Sequence, residues 1–163
     1  MFAPAACRTG QSVVLRAWVA YEGRPFFVLE QGIRAMISQT PLRILLIEDR
    51  TVTAISLECF LEDLGHSVVA VAATGRQALE TLDKFAGAVD LVIYEAFLIG
   101  FPCLDVADRV EDLRIPALVT SNLHEDDLRV LGFDAAYLAQ PFTDLSVARA
   151  ISDVTDAADL TAA

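Results

Sequence analysis

A repeating pattern of short apolar runs and longer segments at helical spacing extends from Arg43 almost to the end of the chain. The runs are rich in aliphatic and β-branched side chains and lack polar alternation, which is typical of strands covered on both faces. They are ILLI (44–47), VVAVA (68–72), LVIY (91–94), ALVT (117–120) and AYLA (136–139). The pattern predicts five buried strands.

Apolar residues three or four positions apart predict a helix after each run. Gly65 is expected to stop the first helix. Thr74 and Gln77 form a capping box ahead of the second helix, and Thr143 opens the last one. Strict alternation of strands and helices indicates a parallel sheet between two layers of helices.

The first part of the chain lacks this alternation. We interpret residues 1–41 as an N-terminal extension, either poorly ordered or due to a translation start assigned too far upstream, because Met36 lies shortly before the first strand. The alternative is a short added hairpin or interaction arm. The aromatic residues available to such an arm are Trp18, Tyr21, Phe26 and Phe27. We expect the folded domain to span 42–158, with a tail at 159–163.

Composition limits the classes of partner. The 163 residues are 55% hydrophobic and carry a formal charge of -11, so we expect a strongly acidic surface that repels nucleic acid and anionic membranes. No apolar run is long enough to span a membrane, and because the N-terminus lacks a basic start followed by a continuous apolar segment, we expect no secretory signal. Cys7, Cys59 and Cys103 are widely separated, which argues against a disulfide framework or a zinc site and favours the cytoplasm.

Polar residues cluster at the ends of the predicted strands. They are Glu48 and Asp49 after the first run, Glu95 after the third, Thr120 and Ser121 at the end of the fourth, and Gln140 and Pro141 after the fifth. In a doubly wound sheet the ligand site lies at the carboxyl ends of the strands. Three carboxylates, a hydroxyl and an amide at one edge therefore predict a functional site.

Residues 43–155 resemble the receiver domain of two-component response regulators. The matching segments are RILLIED (43–49), LGHSVVAVAATGRQAL (64–79), DLVIYE (90–95), IPALVTSN (115–122) and AYLAQPF (136–142). The resemblance implies a flavodoxin-like (CheY-like) α/β fold for residues 42–158. This fold is a doubly wound, five-stranded parallel sheet of order 2-1-3-4-5 with five helices.

The resemblance also implies a phosphorylation site. In the family, an acidic pair after strand one holds Mg²⁺, and an Asp ending strand three accepts a phosphoryl group from a histidine kinase. A hydroxyl and a Lys then bind that group. By position, Glu48 and Asp49 match the acidic pair. The hydroxyl stays open between Thr120, favoured by motif context, and Ser121, favoured by spacing.

Two departures from the family pattern change the expected chemistry. Glu95 stands at the phosphoacceptor position, and Gln140 stands where the family has Lys. A longer acceptor should transfer poorly, because in-line attack needs the nucleophile within a fraction of an ångström of its productive position. An amide cannot neutralise a phosphoryl group as an ammonium does. We therefore interpret the domain as a pseudo-receiver that has lost ordinary phosphotransfer.

The loss of the Lys also predicts unbalanced charge. We expect Glu48, Asp49 and Glu95 to face one another without a resident cation. Either the pKa of one carboxyl then rises, or a divalent ion settles among the three. We predict weak binding of Mg²⁺ or Ca²⁺ at these residues.

We expect the chain to act by protein contact and, because it ends soon after helix five, to stand alone. The predicted contact face is helix four, strand five and helix five. Tyr137 matches the aromatic residue that reports switching, and Pro141 matches a proline held as a cis peptide. The partner would be a histidine kinase, a phosphotransfer protein or a downstream regulator, and a homodimer is a further option.

Two other readings stay open. In one, Glu95 or a neighbouring carboxylate is still phosphorylated, and the domain serves as a phosphate shuttle or sink. In the other, the chain is a small flavodoxin-like enzyme. Against an enzyme, the sequence has no Gly-rich phosphate loop, and we expect Cys103, at the start of helix three, to be a buried thiol rather than a reactive one. We therefore expect no enzymatic activity.

Overall fold

The computed structural model describes residues 19–21, 24–26 and 40–162. The chain divides into two compact units, 1–35 and 36–163. In the first unit, Val19–Tyr21 pairs antiparallel with Arg24–Phe26. Trp18 and Phe27, two of the aromatic residues predicted for an interaction arm, lie outside the described residues.

The second unit contains a five-stranded parallel sheet. Its strands are β1 (Arg43–Ile47), β2 (Ser67–Ala72), β3 (Leu91–Glu95), β4 (Ala117–Ser121) and β5 (Ala136–Ala139). Their order in the sheet is β2-β1-β3-β4-β5, and every neighbouring pair is parallel. The predicted order 2-1-3-4-5 is confirmed, and β1 and β3 lie side by side near the centre.

One helix follows each strand of this sheet. The helices are α1 (Thr51–Asp63), α2 (Gly75–Phe85), α3 (Leu104–Asp112), α4 (Glu125–Leu131) and α5 (Asp144–Ala162). Helix α4 has only seven residues. Helix α5 continues through Ala162, so residues 159–162 of the predicted tail are helical. Within the described residues, no helix is long and apolar enough to cross a membrane.

Alternating residues of the central strands face opposite helical layers. Leu45 and Ile47 of β1 pack in a core shared with α2, α3 and α4, whereas Ile44 and Leu46 pack in a core shared with α1 and α5. All four side chains are completely buried, and each stabilises the fold by roughly 1.5–3 kcal/mol. The doubly wound architecture is confirmed, and it fixes the carboxyl ends of β1 and β3 rigidly beside each other.

The prediction that every strand is covered on both faces is wrong for the two edge strands, β2 and β5. In β5, Ala136 and Ala139 are exposed. In β2, Val69 and Val71 are 45% and 49% exposed. Strand β2 forms one edge of the sheet, so the helices on either side cover it only in part.

The helix boundaries follow the local signals in the sequence. Gly65 adopts a positive φ of 87° just after α1, which ends that helix. The Gln77 backbone N–H donates to Thr74 Oγ1 (3.2 Å), and the Gln77 side chain accepts from the backbone of the residue before Thr74 (3.0 Å). The Ser146 backbone N–H donates to Thr143 Oγ1 (3.2 Å) at the start of α5.

Candidate functional site

The two central strands end on buried glutamates at the same edge of the sheet. Glu48 directly follows β1 and is 2% exposed, while Glu95 is the last residue of β3 and is 5% exposed. Buried carboxylates are costly unless they are paired or hydrogen-bonded. The surroundings of these two side chains therefore decide what the site can do.

The guanidinium of Arg50 lies between the two glutamates. Its Nε donates to Glu48 Oε1 (3.2 Å), and its Nη2 donates to Glu95 Oε2 (3.0 Å) and to Gln140 Oε1 (2.7 Å). The Arg50 backbone N–H also donates to Glu48 Oε1 (2.9 Å). The planar, multiply donating head of arginine suits such bridging. One side chain thus connects the carboxyl ends of β1, β3 and β5.

The expectation of carboxylates without a resident cation is therefore wrong. Arg50 directly follows the acidic pair in sequence, but its other partners, Glu95 and Gln140, lie 45 and 90 residues away. The position of Arg50 next to the acidic pair was a local sequence signal for a cation at this site. Its contacts with Glu95 and Gln140 depend on the strand order.

Gln140 completes the bridge because an amide both donates and accepts. Its Oε1 accepts from Arg50, while its Nε2 donates to Glu95 Oε2 in a short hydrogen bond and to Thr120 Oγ1 (3.4 Å). A lysine ammonium has donors only and would bring a second positive charge against Arg50. The amide at position 140 is therefore complementary to the arginine at position 50.

The structure places Thr120, rather than Ser121, at this site. Thr120 pairs with Glu95 in the sheet, and its hydroxyl donates to Glu95 Oε2 (3.4 Å). The Ser121 hydroxyl instead accepts from the Leu123 backbone N–H (3.1 Å), in the connection after β4. Both residues are buried, but only Thr120 contacts the carboxylate.

Asp49 is directed to a small hairpin that the sequence analysis missed. Phe97–Leu98 pairs with Phe101–Pro102, and the turn between them has positive φ at Ile99 (53°) and Gly100 (80°). The Ile99 backbone N–H donates to Asp49 Oδ2 (2.6 Å). A β-branched residue rarely adopts positive φ, so this hydrogen bond helps to hold the turn. The Ile-Gly pair between two apolar dipeptides was the available signal.

The donor set does not fit a divalent ion while Arg50 is in place. Arg50 lies between Glu48 and Glu95, and Asp49 is bound to the hairpin. In the part of the chain that the structure describes, no group of three or more His, Cys, Asp or Glu side chains could hold a metal. Glu48 Oε2 is buried without a hydrogen-bond partner among the described residues, which leaves one free acceptor.

Burial raises the pKa of the Glu95 carboxyl above its ordinary value, and the nearby carboxylate of Glu48 raises it further. Hydrogen bonds from Gln140 and Thr120 and the charge of Arg50 act in the opposite direction but do not cancel the shift. Of the two outcomes that the sequence predicted for crowded carboxylates, a raised carboxyl pKa agrees with these surroundings, and the binding of a divalent ion stays a prediction.

Cys103 lies beneath the site as a buried thiol. Its Sγ–H donates to the Glu95 carbonyl oxygen (2.9 Å), and its backbone precedes α3. Burial raises the pKa of this thiol to about 12, so it stays protonated and unreactive at neutral pH. The expectation of a buried thiol is confirmed. Cys59 is also free but exposed, and Cys7 lies outside the described residues.

Two further predicted residues lie close to the site. The Gln140–Pro141 peptide bond is cis, as the resemblance implied. The Tyr137 hydroxyl donates to the Leu123 backbone oxygen (2.6 Å). The aromatic side chain of β5 is therefore tied to the connection between β4 and α4.

Solved structures of bacterial signalling proteins share this architecture. The response regulator PhyR from Brucella abortus superimposes with a TM-score of 0.66 at 25% identity, over 82% of this chain and 57% of that chain. The receiver (REC) domain of PhyR from Erythrobacter litoralis gives a TM-score of 0.60 at 25% identity and covers 71% of this chain and 91% of that chain. SdrG from Sphingomonas melonis Fr1 gives a TM-score of 0.62 at 28% identity and covers 71% of this chain and 97% of that chain. No family model and no curated protein matches the chain.

The chain is therefore similar in fold to the receiver domains of response regulators. It spans a little over half the length of the Brucella abortus regulator and nearly all of SdrG. The similarity therefore concerns the receiver portion of such proteins.

Proposed function

We propose that this domain is a pseudo-receiver that acts in two-component signalling by contacting another protein, without ordinary aspartate phosphorylation. One observation carries the proposal. The carboxylate of Glu95 is already occupied, because its Oε2 accepts hydrogen bonds from the side chains of Arg50, Thr120 and Gln140. A phosphoryl donor would have to displace these groups before it could reach that oxygen.

The residues that bind the phosphoryl group in receivers bind the glutamate here. Thr120 and Gln140 occupy the positions of the family's hydroxyl and Lys, and both contact Glu95 Oε2. The extra methylene of Glu, relative to Asp, extends the carboxylate toward these two side chains. The chain's own groups thus occupy one oxygen of the carboxylate at the acceptor position, which disfavours the attacking geometry that phosphotransfer requires.

The charge at the site is also supplied from within the domain. Arg50 provides the positive charge, and Gln140 links it to Glu95. A carboxylate imitates a phosphoryl group only in part, since it has less charge and fewer acceptor oxygens. The arrangement therefore supports a fixed receiver state that does not depend on a donor.

We propose that the contact face consists of α4, β5 and α5, with Tyr137 beside it. The first turn of α4 carries Glu125, Asp126 and Asp127, so this face presents negative charge. A partner with a basic surface suits it best. Histidine kinases, phosphotransfer proteins and downstream regulators are the classes of partner for such a receiver, which would act in the cytoplasm.

Intact-mass spectrometry after incubation with acetyl phosphate and Mg²⁺ tests the loss of phosphotransfer. The native chain is compared with a Glu95→Asp, Gln140→Lys variant, prepared with and without Arg50→Asn because Arg50 crowds the same carboxylates. A receiver domain with an aspartate acceptor serves as the positive control for the donor.

We expect no phosphoryl adduct on the native chain and an adduct on the restored variants. An adduct mapped to Glu95 of the native chain would contradict the proposal and support a phosphate shuttle or sink instead. An adduct on the positive control alone would leave the native chain inactive as proposed and show that the restored site needs further changes.

A further inference from the structure

A cavity of about 320 Å³ lies between α3 and the segment that connects α4 to β5. Its volume is at the lower end of the range for small-molecule sites, roughly 300–1,000 Å³. Apolar side chains form much of its wall, among them Val110, Ile115 and Ala135. The cavity can therefore enclose a compact apolar group.

The hydroxyl of Tyr94 is the polar feature inside this cavity. Tyr94 is only 1% exposed, its ring packs against Phe133 at 6.3 Å between centroids, and it lines the cavity. Its hydroxyl has no hydrogen-bond partner among residues 40–162. Among the described residues, the enclosed side-chain atoms without a partner do not include this hydroxyl, so it reaches the opening of the cavity and is available to an occupant as a hydrogen-bond partner.

The rim of the cavity is negatively charged. Asp108 and Glu111 lie one turn apart on α3, Asp134 lies in the segment after α4, and all three line the cavity. No lysine, arginine or histidine is among the lining residues that the structure describes. Nearby Arg109 pairs with Asp83 instead (2.7 Å). The charge of Asp134 acts on the nearby Arg129, so the carboxylates of Asp108 and Glu111 are the ones most available to a positive charge.

The state of Tyr94 agrees with these surroundings. Burial raises the pKa of its hydroxyl, and the negative charges of Asp134, Asp108 and Glu111 raise it further. The phenol therefore stays protonated and keeps an oxygen lone pair available as an acceptor.

We propose that this cavity binds a small organic cation, an amine or guanidine carried on a compact apolar body. The apolar body packs against Val110, Ile115 and Ala135. The cationic head lies among the rim carboxylates and donates a hydrogen bond to Tyr94 Oη. This site is independent of the function proposed for Glu95, because it uses neither Arg50 nor Gln140.

Titration of the ¹⁵N-labelled chain by NMR tests the proposal with three probes of similar shape. Benzylamine is the cation, benzyl alcohol the neutral analogue and benzoate the anion, with the linear diamine putrescine as a second cation. We expect saturable shifts for benzylamine at amides lining the cavity, and at least about tenfold weaker binding of the alcohol and benzoate.

Two variants and one matched control assign the contacts. Asp108→Asn with Glu111→Gln should weaken benzylamine binding about tenfold, and Tyr94→Phe, which keeps the ring packing, should weaken it severalfold. Glu62→Gln with Asp63→Asn removes the same charge from the last turn of α1 and should leave the affinity unchanged. The spectra themselves report whether each variant is folded.

Four results would overturn the proposal. They are equal binding of benzyl alcohol, equal weakening by the α1 control, an unchanged affinity in Tyr94→Phe, and the failure of both benzylamine and putrescine to saturate. Equal binding of benzyl alcohol would indicate an unselective apolar cavity, and equal weakening by the α1 control would indicate general attraction to an acidic surface. An unchanged affinity in Tyr94→Phe would show that the hydroxyl does not bind the cation. Failure of both cations to saturate would show that the cavity is not a binding site for them.

Discussion

Arginines join β1 to β3 at both ends of the strand pair, and the two junctions differ in charge balance. At the amino end, Arg43 binds Asp90 through its backbone N–H (2.8 Å), Nε (2.9 Å) and Nη2 (2.8 Å). At the carboxyl end, Arg50 is shared between Glu48 and Glu95. The first junction is a balanced, exposed pair, and the second leaves two buried carboxylates with one cation.

The two junctions shift carboxyl pKa values in opposite directions. The hydrogen bond from the Arg43 side chain lowers the pKa of Asp90. Burial raises the pKa of Glu95 although Arg50 contacts it. An arginine therefore stabilises an exposed carboxylate outright, but it only partly offsets the desolvation of a buried one. The first junction fixes strand register, and the second has the unbalanced charge expected of a functional site.

The largest expected effect is that of Arg50→Met. Removing one member of a fully buried ion pair costs about 3–5 kcal/mol. Because the Arg50 side chain is 53% exposed, we expect a smaller loss of about 2–3 kcal/mol in the free energy of unfolding at pH 7. Urea unfolding measures it.

The control for this prediction removes the charge that Arg50 neutralises. An Arg50→Met, Glu95→Gln variant should recover a large part of the lost stability. If Arg50→Met costs no more than a substitution of Arg43, then the two junctions are equivalent and the comparison fails.

The second prediction concerns the dependence of stability on pH. The pKa of Glu95 in the folded state lies above its ordinary value of 4.5. At a pH between 4.5 and the folded-state pKa, the folded chain therefore binds more protons than the unfolded chain. The contribution of Glu95 to stability is thus fully present below about pH 4.5 and decreases as the pH rises through the folded pKa. Native stability relative to Glu95→Gln should therefore increase on acidification from pH 7.

For Asp90→Asn, we expect the pH dependence of stability to have the opposite sign from that for Glu95→Gln. The folded-state pKa of Asp90 is depressed, so its stabilisation is present above the unfolded pKa and is lost as the pH falls through the folded value. Native stability relative to Asp90→Asn should therefore decrease on strong acidification. Equal slopes for the two variants in chemical denaturation would show that burial does not dominate at Glu95.

The smallest expected effect is that of Arg43→Met on stability at neutral pH. Exposed ion pairs contribute little and are screened by salt. We expect a smaller loss than for Arg50→Met, and one that decreases further when the salt concentration is raised. A loss that is insensitive to salt would indicate a buried role for Arg43 that its exposure does not suggest.

Most of the fold could be predicted because its signals are local. The apolar runs identified all five strands to within a residue, and Gly65, Thr74 and Thr143 marked helix boundaries that the structure confirms. The half-exposed Val69 and Val71 could not be predicted in this way. An edge strand and a central strand have similar composition, and only the sheet order distinguishes them.

The sequence predicted most of the residues that form the candidate site, but not the contacts between them. Glu48, Glu95, Thr120 and Gln140 do meet at one edge of the sheet. The position of Arg50 after the acidic pair was a local signal for its contact with Glu48, but its contacts with Glu95 and Gln140 depend on the strand order. Asp49 was expected beside the other carboxylates, yet the hairpin after β3 provides a backbone N–H for it.

The most direct test of the account is a calorimetric Mg²⁺ titration of the native chain and of Arg50→Met near neutral pH. A divalent ion must displace the guanidinium from Glu48 and Glu95 in the native chain, whereas the variant offers it two unpaired carboxylates. We predict weak binding to the native chain and binding at least about tenfold tighter to the variant. Equal affinities, or tighter binding by the native chain, would contradict the claim that Arg50 is the resident cation of this site.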